Sequence, residues 1–284
     1  MFFIIWHMNK KYQGIVVPAV TPLNADLTLD SASVERLFLF FRQHGAHPFI
    51  LGTTGEFPSL PGSLKLEYIR QAGRIKTGSE QLYVGISSNC MADSVEHARV
   101  ALGEGADVVV CNIPSYYQLS ETQILKYFET LADKIPGPLM IYNIPSTTHH
   151  SIPLPLIDQL SHHPNIVGLK DSERDEERLL TALQMWSDRK DFSHLLGWAA
   201  RSAMSLLHGG DGLVPSSANL SPGIYTDMLK ALAVGDREQL TRLQDMSDQL
   251  GNTYQGKGLG TSLVALKELM QKEGLCQSYR MPPL

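Results

Sequence analysis

Eight short apolar runs, separated by longer amphipathic stretches, constrain this chain more than any other feature. They occupy residues 14–20, 48–51, 82–85, 108–111, 139–142, 166–170, 194–197 and 212–214, and Val, Ile and Leu dominate them. None shows the polar alternation of a hairpin strand with one wet face. Runs of this kind are buried on both faces, as parallel strands covered by helices are. Eight strand–helix units within about 200 residues fit a closed (β/α)8 TIM barrel better than an open doubly wound sheet, which usually has fewer strands.

The intervening stretches carry helix chemistry. Asp30 precedes Val34, Leu37, Phe38 and Phe41 on one helical face, and Ser120 with Gln123 forms a capping-box pair ahead of Ile124, Tyr127, Phe128 and Leu131. Ser221 before Pro222 is a further start signal, with Tyr225, Met228, Leu229 and Leu232 as the apolar stripe. Beyond the eighth unit, residues 237–250 and 261–272 read as helices joined by the glycine-rich segment 256–260. Too short to build a core of their own, they are expected to form a C-terminal helical extension. The expected organisation is therefore a barrel over residues 12–234, an appendage over 235–284, and an N-terminal extension over 1–11 that stays outside the fold.

Composition narrows the function classes. With 43% hydrophobic residues, 19% charged residues and a net charge of -5, the chain is globular and holds no attraction for nucleic acid. No apolar run nears the ~18 residues of a membrane helix. The apolar opening from Met1 to His7 lacks the basic flank and small-residue cleavage site of a secretory signal. Cys90, Cys111 and Cys276 lie far apart without a CxxC pair, which argues against a disulfide framework or thiolate metal site and suits a reducing cytoplasm. No HExxH or other metal-ligand spacing occurs, and residues 256–261 lack the spacing of a phosphate loop, so neither metal nor cofactor is expected.

In such a barrel the reactive groups stand where strands end and βα loops begin. Lys170 closes an apolar run, which puts its amine at the barrel mouth against low-dielectric walls. Burial disfavours the ammonium form, and a neutral amine attacks a ketone carbon. Tyr142 ends the neighbouring run and can relay protons, but a phenol is a poor base at neutral pH unless a hydrogen-bonded chain stabilises its proton. Thr53 and Tyr116 offer that chain, and the turn Thr53-Thr54-Gly55 presents hydroxyls and backbone N–H groups to a carboxylate. Plainer readings exist for each: Lys170 reaching solvent or pairing with Asp171 or Glu173, Tyr142 as a wet strand-end aromatic, the threonine turn as a helix cap. Their joint occurrence at the strand ends of one barrel favours shared chemistry.

The same residues carry a family resemblance. Gly52-Thr53-Thr54-Gly55-Glu56, Tyr142-Asn143-Ile144-Pro145, Gly168-Leu169-Lys170-Asp171 and Gly209-Gly210-Asp211-Gly212 stand in the order and spacing of the dihydrodipicolinate synthase/N-acetylneuraminate lyase superfamily, which the chain resembles over residues 12–275. The resemblance implies that Lys170 is the Schiff-base lysine, Tyr142 the acid/base, Thr53 a member of the proton relay, and Thr54 the holder of the 2-oxo acid carboxylate. Aligned through Pro114, it implies that Tyr116, rather than Tyr117, is the relay tyrosine that enters a neighbouring subunit's site. A homodimer, or a homotetramer built from such dimers, follows. Gly55, Val214, Ser216 and Thr147 complete the expected substrate contacts.

Departures from the pattern bear on substrate. Within the family it resembles, dihydrodipicolinate synthases place an arginine where Thr147 stands, and sialic acid lyases and many sugar-acid aldolases place acidic residues where Trp198, Ala199 and Ala200 follow Gly197. Ser216, with Ser217 beside it, corresponds to a serine that touches the sugar chain in the lyases; His149 and His150 read as solvent-facing loop residues. The expected function is that of a class I aldolase or lyase. It forms an imine between Lys170 and pyruvate or a 2-oxo acid, and reversibly cleaves a 2-oxo-4-hydroxy (2-keto-3-deoxy sugar) acid to pyruvate and an aldehyde. The alternatives are dihydrodipicolinate synthase itself with another basic group in place of the arginine, a 2-oxo sugar-acid dehydratase, and a catalytically silent sugar-acid-binding barrel.

Overall fold

The protein, seen here in a computed structural model, is described for residues 10–256 and 258–284. Eight parallel strands close into one barrel in sequence order. They are β1 (Gly14–Pro18), β2 (His47–Ile50), β3 (Tyr83–Gly85), β4 (Val108–Asn112), β5 (Leu139–Asn143), β6 (Ile166–Asp171), β7 (Ser193–Leu196) and β8 (Gly212–Leu213). Closure is made by β8 pairing back on β1, with Gly14 beside Gly212 and Ile15 beside Leu213. The TIM barrel and its C-terminal helices are those the periodicity requires.

Alternation along each strand sorts side chains into two cores. Val16, Phe49, Tyr83, Val108, Val110, Met140, Tyr142, Leu195 and Val214 fill the barrel interior, with Tyr12 packed among them. Ile15, Val17, Ile50, Val84, Val109, Cys111, Leu139, Ile141 and Leu169 point outward, into the layer between strands and helices. Each side chain of this size, fully buried, contributes about 1.5–3 kcal/mol. Strands buried on both faces read as unbroken apolar runs for this reason.

Strand ends differ from the sequence expectation by a residue or two. The first strand stops at Pro18 because side chains take over from the ladder: Val20 N donates to Asn219 Oδ1 and Tyr68 Oη donates to Val20 O. Conversely β4, β5 and β6 each run one residue further, to Asn112, Asn143 and Asp171, polar residues that an apolar pattern leaves out.

Helix starts follow the capping chemistry at two of the three sites. Asp30 Oδ1 accepts from Ser33 N to open the helix Ser31–Gln43, and Ser120 and Gln123 make both bonds of the capping box before Glu121–Lys134. Pro222 does open Pro222–Ala233, but the Ser221 side chain makes no capping bond. The chain enters that helix from the tight turn Ser216–Asn219, where Ser221 N is bonded to Ser217 O.

The C-terminal helices are Arg237–Asn252 and Leu259–Lys272. Gln244 ties the first to the loop after β7, accepting from Ala203 N and donating to Ala199 O. The expectation that residues 1–11 stay outside the fold is corrected at its end. Lys10 Nζ donates to Trp186 O, Phe192 O and Asp211 Oδ2, since a half-buried carboxylate and two carbonyls at the strand-start end of the barrel demand a cation. Residues 1–9 lie outside the described part of the chain. Among the described residues no helix is long and apolar enough to cross a membrane.

Candidate active site

Position 170 falls on the inward phase of β6, between the backward-packed Leu169 and Asp171, so its side chain rises inside the barrel mouth. Tyr142 is its direct neighbour in the β5–β6 register. The Lys170 Nζ lies 3.6 Å from the Tyr142 ring centroid and 4.9 Å from that of Phe49. Lys170 is 4% exposed and Tyr142 5%. Burial among these rings pushes the amine below its ordinary lysine value, with the Tyr142 oxygen pulling the other way.

Asp171 is no partner for this amine, since the next residue of a strand faces the opposite side. Its carboxylate accepts from Arg178 Nε at 2.8 Å and Asn143 Nδ2 at 2.9 Å. Glu173 is bound in the same cluster by Asn143, Ser151 and Arg178. Asn143 also accepts from Ile152 N, so the asparagine of the Tyr-Asn-Ile-Pro motif holds the strand-five loop to the strand-six loop.

The threonine turn comes from the other side of the mouth. Thr53 Oγ1 lies 3.4 Å from Tyr142 Oη, the first link of the expected relay. Thr53 and Thr54 donate no backbone N–H to any described residue, whereas Gly55 N is bonded to Gly52 O and Glu56 N to Thr53 O. Two amides and the Thr54 hydroxyl are thus free to meet a carboxylate. Below the turn Glu56, left-handed at φ 59°, forms a buried ion pair with Lys267 at 2.7 Å.

Thr53, Thr54, Tyr142, Lys170, Val214 and Ser216 line one cavity of about 610 Å³. Three expected contacts are not among its lining. Gly55 is turned into the protein, its carbonyl accepting from Thr21 Oγ1. Thr147 bends its hydroxyl back to Ile144 O, as residues of a tight helical turn do, and Ser146 lines the cavity instead. Tyr116 and Tyr117 stack edge to face at 5.0 Å and are 78% and 72% exposed, so neither enters this chain's own cavity. His149 is exposed, and His150 accepts from Leu119 N. Ser217 is buried against Tyr225 rather than facing substrate space.

Sequence reasoning missed Ser172, Glu173, Arg174 and Gln255 in the lining. The first three follow strand six directly, where the strand-end rule already pointed; Gln255, Gly256, Gly258 and Leu259 come from the segment between the C-terminal helices, which no local signal places over the mouth. Gly197 is required by close approach: a Cβ there would meet Ser172 Oγ at 2.1 Å. The Gly-Gly-Asp-Gly motif lies at the opposite end of the barrel, where Asp211 accepts from His194 N and Lys10.

The sequence profile of the dihydrodipicolinate synthetase family matches residues 11–284. The chain belongs to that family. Members similar to it include a probable 2-dehydro-3-deoxy-D-pentonate aldolase, YjhH, of Escherichia coli K12, 29% identical over 97% of this chain and 92% of that one. Among solved structures, a dihydrodipicolinate synthase from Bacteroides thetaiotaomicron superposes with a TM-score of 0.92 at 33% identity, covering 97% of this chain and 93% of that one. YagE, an Escherichia coli K12 prophage protein of the family solved in complex with pyruvate, gives 0.91 at 27% identity, covering 96% and 93%.

Proposed function

We propose that this dihydrodipicolinate synthetase family member is a class I carbon–carbon lyase that binds pyruvate or a 2-oxo acid as an imine on Lys170. The observation that carries the reading is an amine held below its ordinary basicity, beside a phenol and opposite two free amides, in one cavity. Thr54 and the turn amides hold the carboxylate, and Lys170 attacks the keto carbon with loss of water. Tyr142 then takes the C4 hydroxyl proton as the C3–C4 bond breaks. The bonding pair passes to the protonated imine as an enamine, an aldehyde departs, and protonation and hydrolysis return pyruvate.

Tyr142 relays its proton through Thr53, and Tyr116 of a neighbouring copy completes the chain. The exposed Tyr116–Tyr117 pair supports that assignment, and with it a homodimer or homotetramer. Three unpaired cysteines support a reducing, cytoplasmic setting. The likeness to a pyruvate complex and to a 2-dehydro-3-deoxy-D-pentonate aldolase supports a 2-keto-3-deoxy sugar acid as the cleaved substrate. Incubation with pyruvate and borohydride is expected to add one reduced pyruvate to Lys170, read by peptide mass spectrometry. An unmodified Lys170 would defeat the proposal.

A further inference from the structure

The cavity is larger than a 2-oxo acid head group needs, and its lining mixes the polar Ser146, Ser216, Gln255, Glu173 and Arg174 with the apolar Trp198 and Ala199. The charges among them are not equal in standing. Glu173 is occupied by Arg178, Asn143 and Ser151. Arg174, four residues beyond the imine lysine, has no hydrogen-bond or ion-pair partner among the described residues. Of the acids that follow, Asp175 caps the helix Glu176–Met185 by accepting from Arg178 N, Glu176 pairs with Arg201, and Glu177 is not part of the cavity lining.

An arginine over a substrate cavity, with nearby carboxylates engaged elsewhere, is an anion-recognition group, and its planar fork suits a carboxylate. Arg174 lines the same cavity as Lys170, so an acid anchored on Lys170 extends into a space that Arg174 borders. Ser146, Ser216 and Gln255 line the same cavity, the Ser216 hydroxyl shared with Tyr254, and among the described residues the one acid of the lining, Glu173, is already paired and leaves none to receive an ammonium group. We infer that the substrate carries a second, terminal carboxylate that Arg174 binds. The cleaved acid is then a hydroxylated 2-oxo dicarboxylic acid, and the aldehyde released itself carries a carboxylate and is neither a neutral sugar nor an amino acid.

This inference rests on the imine reading, and the test separates the two. Borohydride trapping on Lys170 is measured against concentration for 2-oxoglutarate, 2-oxoadipate and 2-oxopimelate, each beside the monocarboxylic 2-oxo acid of equal chain length. The expected result is half-saturation at an about fivefold lower concentration for the diacid at one or more lengths, a preference that shrinks with salt. Arg174→Gln is expected to remove the preference and Arg174→Lys to keep part of it. Equal half-saturation within all three pairs, or an undiminished preference in Arg174→Gln, overturns the terminal-carboxylate assignment while pyruvate trapping still upholds the imine. Failure of the wild-type protein to trap pyruvate itself overturns both.

Discussion

Burial lowers the basicity of Lys170 and makes it a burden on stability. Its folded-state pKa lies below the ordinary 10.5, so between that lowered value and 10.5 the unfolded chain binds more protons. Stability present above 10.5 is therefore lost as pH falls through the lowered value, and the penalty is constant below it. Lys170→Met is expected to abolish imine trapping yet raise the melting temperature at pH 7 by about 2–4 °C for each kcal/mol recovered, read by thermal unfolding. A lower melting temperature would contradict this account of the amine. The same shift sets the pH profile: imine formation rises with pH along a limb centred below 10.5, and a limb at the ordinary value would show an unperturbed lysine. Tyr142→Phe removes the hydroxyl beside Thr53 and is expected to lower kcat about 10²–10⁴-fold, measured as pyruvate release.

Among the elements, the C-terminal appendage is joined to the threonine turn through charge. Lys267 and Glu56 are 1% and 2% exposed, Lys267 also donates to Tyr279 O, and Glu56 accepts from Met281 N. Removing one member of such a pair leaves a buried charge uncompensated, at about 3–5 kcal/mol. Lys267→Met is expected to cost that much in urea unfolding and to raise the pyruvate concentration that half-saturates trapping, because Glu56 belongs to the same turn as the free Thr53 and Thr54 amides, its own N–H bonded to Thr53 O. Glu56→Gln added to Lys267→Met removes the orphaned charge and is expected to recover most of the stability. A double variant no more stable than the single one would exclude the ion pair as the cause. Sequence reading placed Glu56 in the motif but left it without a role, since its partner lies more than two hundred residues away.

For the whole molecule, the exposed Tyr116 predicts that sites are completed between copies. Co-refolding Lys170→Ala with Tyr116→Phe protomers creates mixed dimers in which one site has both groups, so about a quarter of wild-type activity is expected from an equal mixture of two inactive parents. Activity no higher than the parents would mean that Tyr116 serves no neighbouring site. The barrel itself was legible because its signals are local: double-sided burial writes unbroken apolar runs at 15–17 and 108–111, and Asp30 and Ser120 mark helix starts by bonds to residues three positions away. The shared placement of Lys170, Tyr142, Thr53 and Thr54 at the barrel mouth was legible for a related reason, since strand ends can be read from the runs they terminate.

By itself the sequence determined the number and phase of the strands, and hence which residues would stand at the mouth and which would face outward. Only the tertiary structure decided which of those neighbours share a cavity. Gly55 turns away from it with its carbonyl accepting from the Thr21 hydroxyl, Thr147 turns away to donate to Ile144 O, Arg174 remains over it without a partner among the described residues while Arg178 takes the adjacent acids, and Gln255 arrives from a distant connection. Periodicity is set by the local backbone geometry of helix and strand, whereas the pairing of charges and the direction of a loop are settled by whichever partners the closed barrel brings within reach.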